Sequence, residues 1–236
     1  MLLMSAEWHR LAMLHFDADA AALQQYIPVG TELDLWQGQA IVSVVGLLSR
    51  HTRALGVLPA ALAPSFAQIN LRTYVRRPGR PGDPNLGPDG YRHGTVFICE
   101  LVPRPLLAAC ARVYGEPYFT AATYHEFAAS RVRYGWCIGG EWSELTLEFE
   151  GAPTLIQPGT EAEFLSMRHW GYNQRGRECR VEHPRWHHWA AETADLSGDF
   201  GPVVRRGLAE VLAGPPRSAY LIMGSKMAMY HVGTRR

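Results

Sequence analysis

The sequence contains almost no lysine. Lys226 is the single lysine among 23 basic residues, and the other 22 are arginine. An arginine side chain stays protonated and does not act as an amine nucleophile, so amine chemistry is limited to one position in the chain.

The motifs of several enzyme classes are also absent. The four cysteines, Cys99, Cys110, Cys137 and Cys179, are widely spaced and form no CxxC pair, which gives no support for a zinc knuckle or a dithiol redox site. There is no GxSxG motif, no P-loop and no glycine-rich dinucleotide motif, so these hydrolase, NTPase and Rossmann classes are not indicated. Free thiols predict a reducing, cytoplasmic location.

Long apolar runs and an excess of one charge are missing as well. The net charge is +1, and no uninterrupted apolar run approaches the roughly 20 residues of a membrane span. The first 15 residues show no basic start followed by an apolar core, so we expect no signal peptide. We therefore expect no nucleic-acid and no membrane partner.

The clearest pattern is an alternation of side chains from 66 to 77, which predicts a long β-strand. One face is largely apolar: Ala67, Ile69, Leu71, Thr73 and Val75. The other face carries Phe66, Gln68, Asn70, Arg72 and Tyr74. The polar face could point to solvent, or it could line the lumen of a barrel, and the alternation alone allows both.

The rest of the chain predicts further strands and a few helices. The double glycine Gly139-Gly140 predicts a tight hairpin turn, and the many Gly and Pro residues from about 77 to 94 predict a flexible loop. The stretch 51–64 has no clear period and is expected to be a loop over one barrel end. Helices are predicted at 17–26, 105–114, 160–167 and 203–212, and strands at 32–36, 39–48, 95–102, 124–138, 141–150, 168–173, 177–183 and 219–231.

Four short motifs follow one another over most of the chain. They are Asn-Leu-Arg-Thr-Tyr-Val at 70–75, Val-Phe-Ile at 96–98, Ala-Arg-Val-Tyr-Gly-Glu-Pro-Tyr at 111–118 and His-Pro-Arg-Trp at 183–186. Together they resemble the YqjF-like family of uncharacterised proteins, which is related to the acetoacetate decarboxylase-like superfamily. The resemblance implies one domain over 1–236 with an α+β, mainly β fold, a curved antiparallel β-barrel with packed helices.

The resemblance also bears on chemistry. In acetoacetate decarboxylases a lysine that follows a Gly-x-Pro turn forms a Schiff base with the substrate. The similar turn here is Gly115-Glu116-Pro117, and the next residue is Tyr118. Since a phenol cannot form an imine, decarboxylation cannot start from this position. Lys226 on the last predicted strand could reach the lumen instead, or it could be a solvated surface lysine.

Arg72 is the strongest candidate site residue. An arginine on a central strand is costly to desolvate, so it must meet a carboxylate, a polar ligand or water. It could form an internal ion pair with Glu100 or Glu116, or it could bind a ligand carboxylate. Glu100 is in phase with the apolar residues Val96 and Ile98 of its predicted strand. Because a buried carboxylate is costly, we expect Glu100 at the exposed end of this strand, with pairing to Arg72 as the alternative.

We predict that the protein binds a small organic acid or carbonyl compound in the lumen and uses no cofactor. The ligand-binding residues would be Arg72, Gln68, Asn70, Tyr74 and Tyr118. The alternative is an enzyme of lyase or hydrolase type on the same scaffold. It would use Tyr118 or Glu100 as acid or base, or Lys226 as nucleophile.

Two histidines invite a metal interpretation. His183 and His187 have i,i+4 spacing, which brings side chains together on a helix but not on a strand, and no third ligand is fixed by spacing. They remain weak metal candidates beside roles at the core rim or the surface. A third hypothesis uses the aromatic run from Trp186 to Trp189 as an interaction patch.

Overall fold

The computed structural model describes residues 1–54, 65–80, 82–83 and 86–232. The strands are β1 (Leu2–Ala18), β2 (Glu32–Leu33), β3 (Ala40–Ala54), β4 (Ser65–Pro78), β5 (Tyr91–Val102), β6 (Tyr118–Thr120), β7 (Ala122–Phe127), β8 (Arg131–Ile138), β9 (Glu141–Glu148), β10 (Thr154–Leu155), β11 (Trp170–Tyr172), β12 (Glu178–Glu182), β13 (His187–Ala190), β14 (Thr193–Ser197) and β15 (Ser218–Val232). The helices are α1 (Ala20–Leu23), α2 (Pro105–Tyr114), α3 (Glu161–Ser166) and α4 (Arg206–Leu212), with 3₁₀ turns at Gln24–Tyr26 and Gly201–Val203.

Seven strands close into a barrel, as the resemblance implies. Their order is β1, β3, β4, β5, β11, β12 and β15, and the pairing of β15 with β1 completes the circle. All of these pairings are antiparallel except β5 with β11, which is parallel. A closed barrel has one inner and one outer face on every strand, so alternate residues point into the lumen.

The longest strand, β1, is not revealed by the sequence pattern. It pairs with β3 on one side and with β15 on the other, and so it closes the barrel. Its central residues from Leu11 to Phe16 are all buried, so they show no alternation of polar and apolar side chains. A β-bulge lies between His9 and Ala12, where Arg10 has a φ of 49°.

A second sheet, in the order β14, β9, β8 and β7, packs against the outside of the barrel. The main core lies between this sheet and the outer faces of β1, β3 and β4, and α4 adds Leu208 and Leu212 to it. The apolar residues Ala67, Ile69 and Leu71 of β4 belong to this core. The polar face of β4 is therefore the face that points into the lumen.

The predicted hairpin is confirmed: β8 and β9 pair around Gly139 and Gly140, whose φ angles are 62° and 92°. The predicted strand 124–138 is in fact two strands, β7 and β8, that pair with each other. The first predicted helix is shorter than expected, because Asp17 belongs to β1 and the Asp19 side chain caps α1 by accepting from the amide of Ala21.

The loop predicted at 77–94 is shorter as well. Pairing of β4 with β5 continues to Pro78 and Tyr91, which leaves 79–90 as the connection. The flexibility of this loop stays a prediction. Of the loop predicted at 51–64, residues 51–54 continue β3, and 55–64 lie outside the described residues.

Two features of the helices follow the predictions. Helix α2 begins with Pro105 and ends at Gly115, which takes the left-handed conformation with a φ of 107°. Helix α3 is capped by Thr160, whose side chain accepts from the amide of Glu163. In the described part of the chain, no helix is both long and apolar enough to cross a membrane.

Candidate functional site

The barrel encloses a cavity of about 690 Å³, which α2 covers at one end. Much of its wall is apolar and comes from β1, β3, β12, β15 and α2. These residues include Leu3, Met4, Trp8, Leu11, Leu47, Leu106, Leu107, Val113, Val181, Trp186 and Met229. The polar part of the wall includes Gln68, Asn70, Arg72, Thr95, Glu100, Glu116, Tyr118, Ser166, Arg168, Tyr172, Arg177 and His183.

A bulge in the ladder of β4 and β5 decides which side chains enter the cavity. Leu71 lies opposite Cys99 and Arg72 lies opposite Phe97, so Ile98 is left without a partner. The extra residue shifts the alternation of inward and outward side chains along β5 by one position. As a result Phe97 and Glu100 both line the cavity, although they are three residues apart.

Glu100 is buried, with 2% of its surface exposed. The expectation that it lies at the exposed end of its strand is therefore wrong. Its carboxyl group accepts a hydrogen bond from Gln68 Nε2 and is also hydrogen-bonded to Tyr118. Gln68 Nε2 lies 3.4 Å from the Tyr118 hydroxyl, so the three side chains form one cluster.

The charge state of this cluster follows from its burial. Burial raises the pKa of Glu100 well above its ordinary value, and the nearby Glu116 raises it further. Burial also raises the pKa of the Tyr118 phenol. Among the described residues no cation lies within ion-pair distance of Glu100. The cluster thus favours a neutral carboxylic acid beside a neutral phenol.

Arg72 forms none of the internal ion pairs that the sequence allowed. In the described part of the molecule, no carboxylate of Glu100, Glu116 or another residue lies within ion-pair distance of it. Its Nη2 donates to the carbonyl oxygen of Leu165 at 2.9 Å. Its Nε is buried and has no protein partner. The guanidinium is therefore a charge at the cavity wall without a countercharge in contact.

A second guanidinium, which sequence reasoning missed, lies in the same region. Arg168 is buried, donates through Nη1 to Asp34 and through Nε to the carbonyl of Phe164, and leaves Nη2 without a protein partner. The predicted strand 168–173 begins at Arg168, but β11 begins only at Trp170, so Arg168 belongs to neither α3 nor β11. Only the loop between these elements brings it to the cavity.

Tyr74 does not line the cavity, contrary to the sequence prediction. Its ring lies behind the two arginines, with its centroid 5.7 Å from Arg72 Cζ and 5.0 Å from Arg168 Cζ. Its hydroxyl is 2.7 Å from Ser43 Oγ, which is 2.7 Å from His15 Nδ1. Tyr74 therefore packs against the two guanidinium groups and is not part of the cavity wall.

Arg168 has a charge partner, unlike Arg72. Burial alone would raise the pKa of Asp34, but hydrogen bonds from His93 and Arg168 outweigh this and lower it. His93 Nδ1 lies 2.6 Å from Asp34 Oδ2, and this hydrogen bond raises the pKa of His93. The Asp34 carboxylate is thus shared by Arg168 and His93, whereas Arg72 has no carboxylate partner among the described residues.

Other polar atoms of the wall also lack protein partners. Asn70 is 2% exposed, and its Oδ1 accepts no hydrogen bond from the protein. The buried Tyr172 hydroxyl is likewise unpaired. Buried polar groups are costly when unpaired, so such atoms point to a ligand or water as partner.

Glu116 brings a second carboxyl group into the cavity. Asn173 Nδ2 donates to Glu116 Oε1 at 3.1 Å, and burial raises the pKa of Glu116. Arg112 on α2 donates to the carbonyl of Tyr118 at 3.0 Å and so ties the helix to the start of β6.

Lys226 lies outside the cavity. Its side chain is exposed, and it sits opposite Glu7 in the pairing of β1 with β15. The structure therefore excludes it as a nucleophile in the lumen.

The two histidines are not brought together at one site. His183 lines the cavity and stacks on Trp186, with ring centroids 3.8 Å apart, while His187 is exposed on β13. Burial lowers the pKa of His183 to about 4. Within the described residues no group of three or more His, Cys, Asp and Glu side chains is placed to hold a metal ion.

Trp186 is buried and cannot form the proposed exposed aromatic patch.

Solved structures share this architecture. An acetoacetate decarboxylase from Legionella pneumophila superposes with a TM-score of 0.67 at 12% identity, covering 97% of this chain and 87% of that one. An acetoacetate decarboxylase-like enzyme from Sphingomonas wittichii RW1 gives a TM-score of 0.60 at 14% identity, covering 98% and 93%. The enduracididine biosynthesis enzyme MppR, solved with the condensation product of pyruvate and imidazole 4-carboxaldehyde, gives 0.65 at 11% identity, covering 99% and 88%. The fold is thus that of the acetoacetate decarboxylase-like proteins.

Within that class, the chain belongs to the DUF2071 family of uncharacterised conserved proteins, whose family model matches residues 5–226. A relative is the uncharacterised protein YqjF of Bacillus subtilis strain 168, 37% identical over 82 residues. That alignment covers 34% of this chain and spans about a third, 33%, of the relative.

Proposed function

We propose that the barrel lumen binds a small organic acid or carbonyl compound without forming a Schiff base. The observation that carries this proposal is the Arg72 guanidinium, which lies at the cavity wall with a buried Nε and no carboxylate in contact. Arg72 is half-buried, and a buried guanidinium N–H without an acceptor is unfavourable, so a ligand carboxylate would supply both the countercharge and the acceptor that Arg72 lacks.

The neighbouring groups suit the rest of such a ligand. One of the two O–H protons of a neutral Glu100 and Tyr118 is used in the hydrogen bond between them, so the pair can donate one hydrogen bond to a carbonyl or hydroxyl oxygen of the ligand. Asn70 Oδ1 offers an acceptor to a hydroxyl group. The ligand would thus be held through its charge at Arg72 and oriented by the cluster of Gln68, Glu100 and Tyr118.

Covalent amine catalysis has no support in this chain. Tyr118 follows the Gly-x-Pro turn, and Lys226 is exposed on the outside of the barrel. The relationship to decarboxylases therefore extends to the scaffold, and the binding that we propose is noncovalent.

Calorimetric titration of a panel of short organic acids into the purified protein tests this proposal. Arg72→Ala should weaken the binding of any acid that binds by roughly 10- to 100-fold, as expected for loss of a hydrogen bond to a charged group. Arg76→Ala is the matched control, since Arg76 lies on the same strand but pairs with Glu32 at the surface. Equal affinity of the wild type and Arg72→Ala would show that the site is assigned wrongly.

A second candidate function is proton-transfer catalysis on the same ligand. The observation that favours it is the pairing of two groups with raised pKa values, Glu100 and Tyr118, in one cavity. Such an enzyme should lose turnover but keep substrate affinity in Tyr118→Phe, whereas a binding protein should respond chiefly to Arg72→Ala.

We further propose a cytoplasmic location. All four cysteines are free, which reducing conditions favour. Expression of a tagged chain followed by fractionation would test this, and recovery outside the cytoplasm would contradict it.

A further inference from the structure

The lumen is much larger than a short organic acid requires. Its 690 Å³ equals about 23 water molecules at about 30 Å³ each. Cavities of this size hold drug-sized ligands, and an acid of six or seven non-hydrogen atoms would leave most of the space unfilled.

Four titratable groups of the wall lie in one region. The charge of Arg72 acts on Glu100, on Arg168 and on His183, so these groups lie within electrostatic range of one another. Arg104, Glu116 and Arg177 also line the cavity, and the apolar part of its wall includes Met4, Leu107, Val181 and Met229. Met4 and Met229 face each other across β1 and β15, and Val181 faces Met229 across β12 and β15.

The apolar wall continues to the surface along α2. Leu106 and Val113 both line the cavity, yet they are 62% and 75% exposed. Cys110, which is exposed and also lines the cavity, lies between them. The spacing i, i+4, i+7 places the three side chains in one stripe of the helix, so an apolar strip leads from the lumen to solvent.

We infer that the ligand is an amphipathic carboxylic acid with an apolar tail on the order of ten carbons, estimated from the cavity volume. Its carboxylate lies at Arg72, with the unpaired Nη2 of Arg168 as a second donor. Its tail lies against Met4, Leu107 and Met229 and leaves beneath Leu106. This inference rests on the proposed function and names the ligand class.

A chain-length series tests the tail. Straight-chain carboxylic acids from four to ten carbons are titrated into the wild type, with decanol and decylamine as controls for the head group. Affinity should rise about fourfold per added methylene, which is the burial of one CH₂ group. The two controls should bind more weakly than decanoate.

The outcomes separate the two levels of the claim. An affinity that does not change with chain length, while Arg72→Ala still weakens short acids, overturns the tail and leaves the proposed function intact. Decanol binding as tightly as decanoate overturns the assignment of the head group to Arg72. Absence of binding by every acid overturns the inference together with the binding of organic acids in the proposed function.

Paired variants locate the two ends of the ligand. Leu106→Asp places a charge in the apolar strip, and since Leu106 lies in the first turn of α2, an acid there interacts favourably with the helix dipole. This variant should lower the affinity for decanoate about tenfold, which is the contribution of nearly two methylenes, and leave the affinity for butyrate unchanged. Arg72→Ala should lower the affinity for every acid by the same factor and leave the dependence of affinity on chain length unchanged.

The matched control is Val29→Asp, since Val29 is 97% exposed and does not line the cavity. It should leave both acids unaffected. Equal weakening of butyrate and decanoate by Leu106→Asp would contradict the path of the tail.

Discussion

The buried carboxyl group of Glu100 makes a prediction about stability. Its only hydrogen-bonding partners in the described part of the chain are the neutral side chains of Gln68 and Tyr118. Glu100→Gln keeps the size of the side chain and an oxygen that can accept from Gln68, but it removes the ionisable proton. The substitution therefore isolates the cost of keeping this carboxyl group protonated.

The sign and size of that cost follow from linkage. Burial holds the pKa of Glu100 in the folded protein above its ordinary value of 4.5. Between the two pKa values the folded state binds one proton more than the unfolded state, so stability falls as the pH rises. The stability contributed by Glu100 is complete below the ordinary pKa. It is lost at about 1.4 kcal/mol per pH unit until the raised pKa is reached.

Urea denaturation of the wild type and Glu100→Gln, in steps from pH 5 to pH 8, measures this directly. The difference between the free energy of unfolding of the variant and that of the wild type should increase by about 1.4 kcal/mol for each pH unit in the lower part of this range. Glu150→Gln is the control, because Glu150 is exposed, and it should run parallel to the wild type. A difference between Glu100→Gln and the wild type that does not change with pH would refute the neutral carboxyl group.

Three further predictions concern packing and charge. Gly46→Ala should lower the free energy of unfolding in urea by about 1–3 kcal/mol, because the new Cβ would lie 2.5 Å from Cγ of the Tyr134 ring, and an unchanged stability would contradict this contact. Gly207→Ala in α4 meets no atom within 4 Å and should raise the same quantity by about 0.5–1 kcal/mol, so a loss would contradict the helical assignment. The hydrogen bond between His93 and Asp34 raises the pKa of His93, so its stabilisation is complete below the ordinary imidazole pKa and is lost as the pH rises through the raised value. His93→Gln should therefore cost more stability at pH 6 than at pH 9, and an equal loss at both would contradict the pairing.

The sequence predicts the wall of the cavity well where strand periodicity applies. Gln68, Asn70 and Arg72 alternate along β4 and all line the lumen, as the polar face of a barrel strand should. Tyr74 follows the same alternation but lies under α3, where its ring packs against Phe164 with centroids 5.5 Å apart. The sequence predicts this helix but not its packing against Tyr74, and that packing decides the difference.

The errors have local physical causes. The sequence predicts Glu100 at an exposed strand end because an ionised carboxylate is costly to bury. In the structure a bulge at Ile98 directs the side chain inward, and burial raises the pKa of Glu100, which favours its neutral form. Strand β1 gave no alternation because it is buried from Leu11 to Phe16 on both faces. Arg168 reaches the cavity from a loop, and no periodic pattern could place it there.

Native mass spectrometry tests the central claim most directly. The purified protein is incubated with an equimolar mixture of short and long carboxylic acids, and its native mass is compared with its denatured mass. We predict that the wild type retains one acid, that decanoate is retained in preference to butyrate, and that Arg72→Ala retains less of both. Retention of no acid by the wild type, or equal retention by Arg72→Ala, would contradict a lumen that binds organic acids through Arg72.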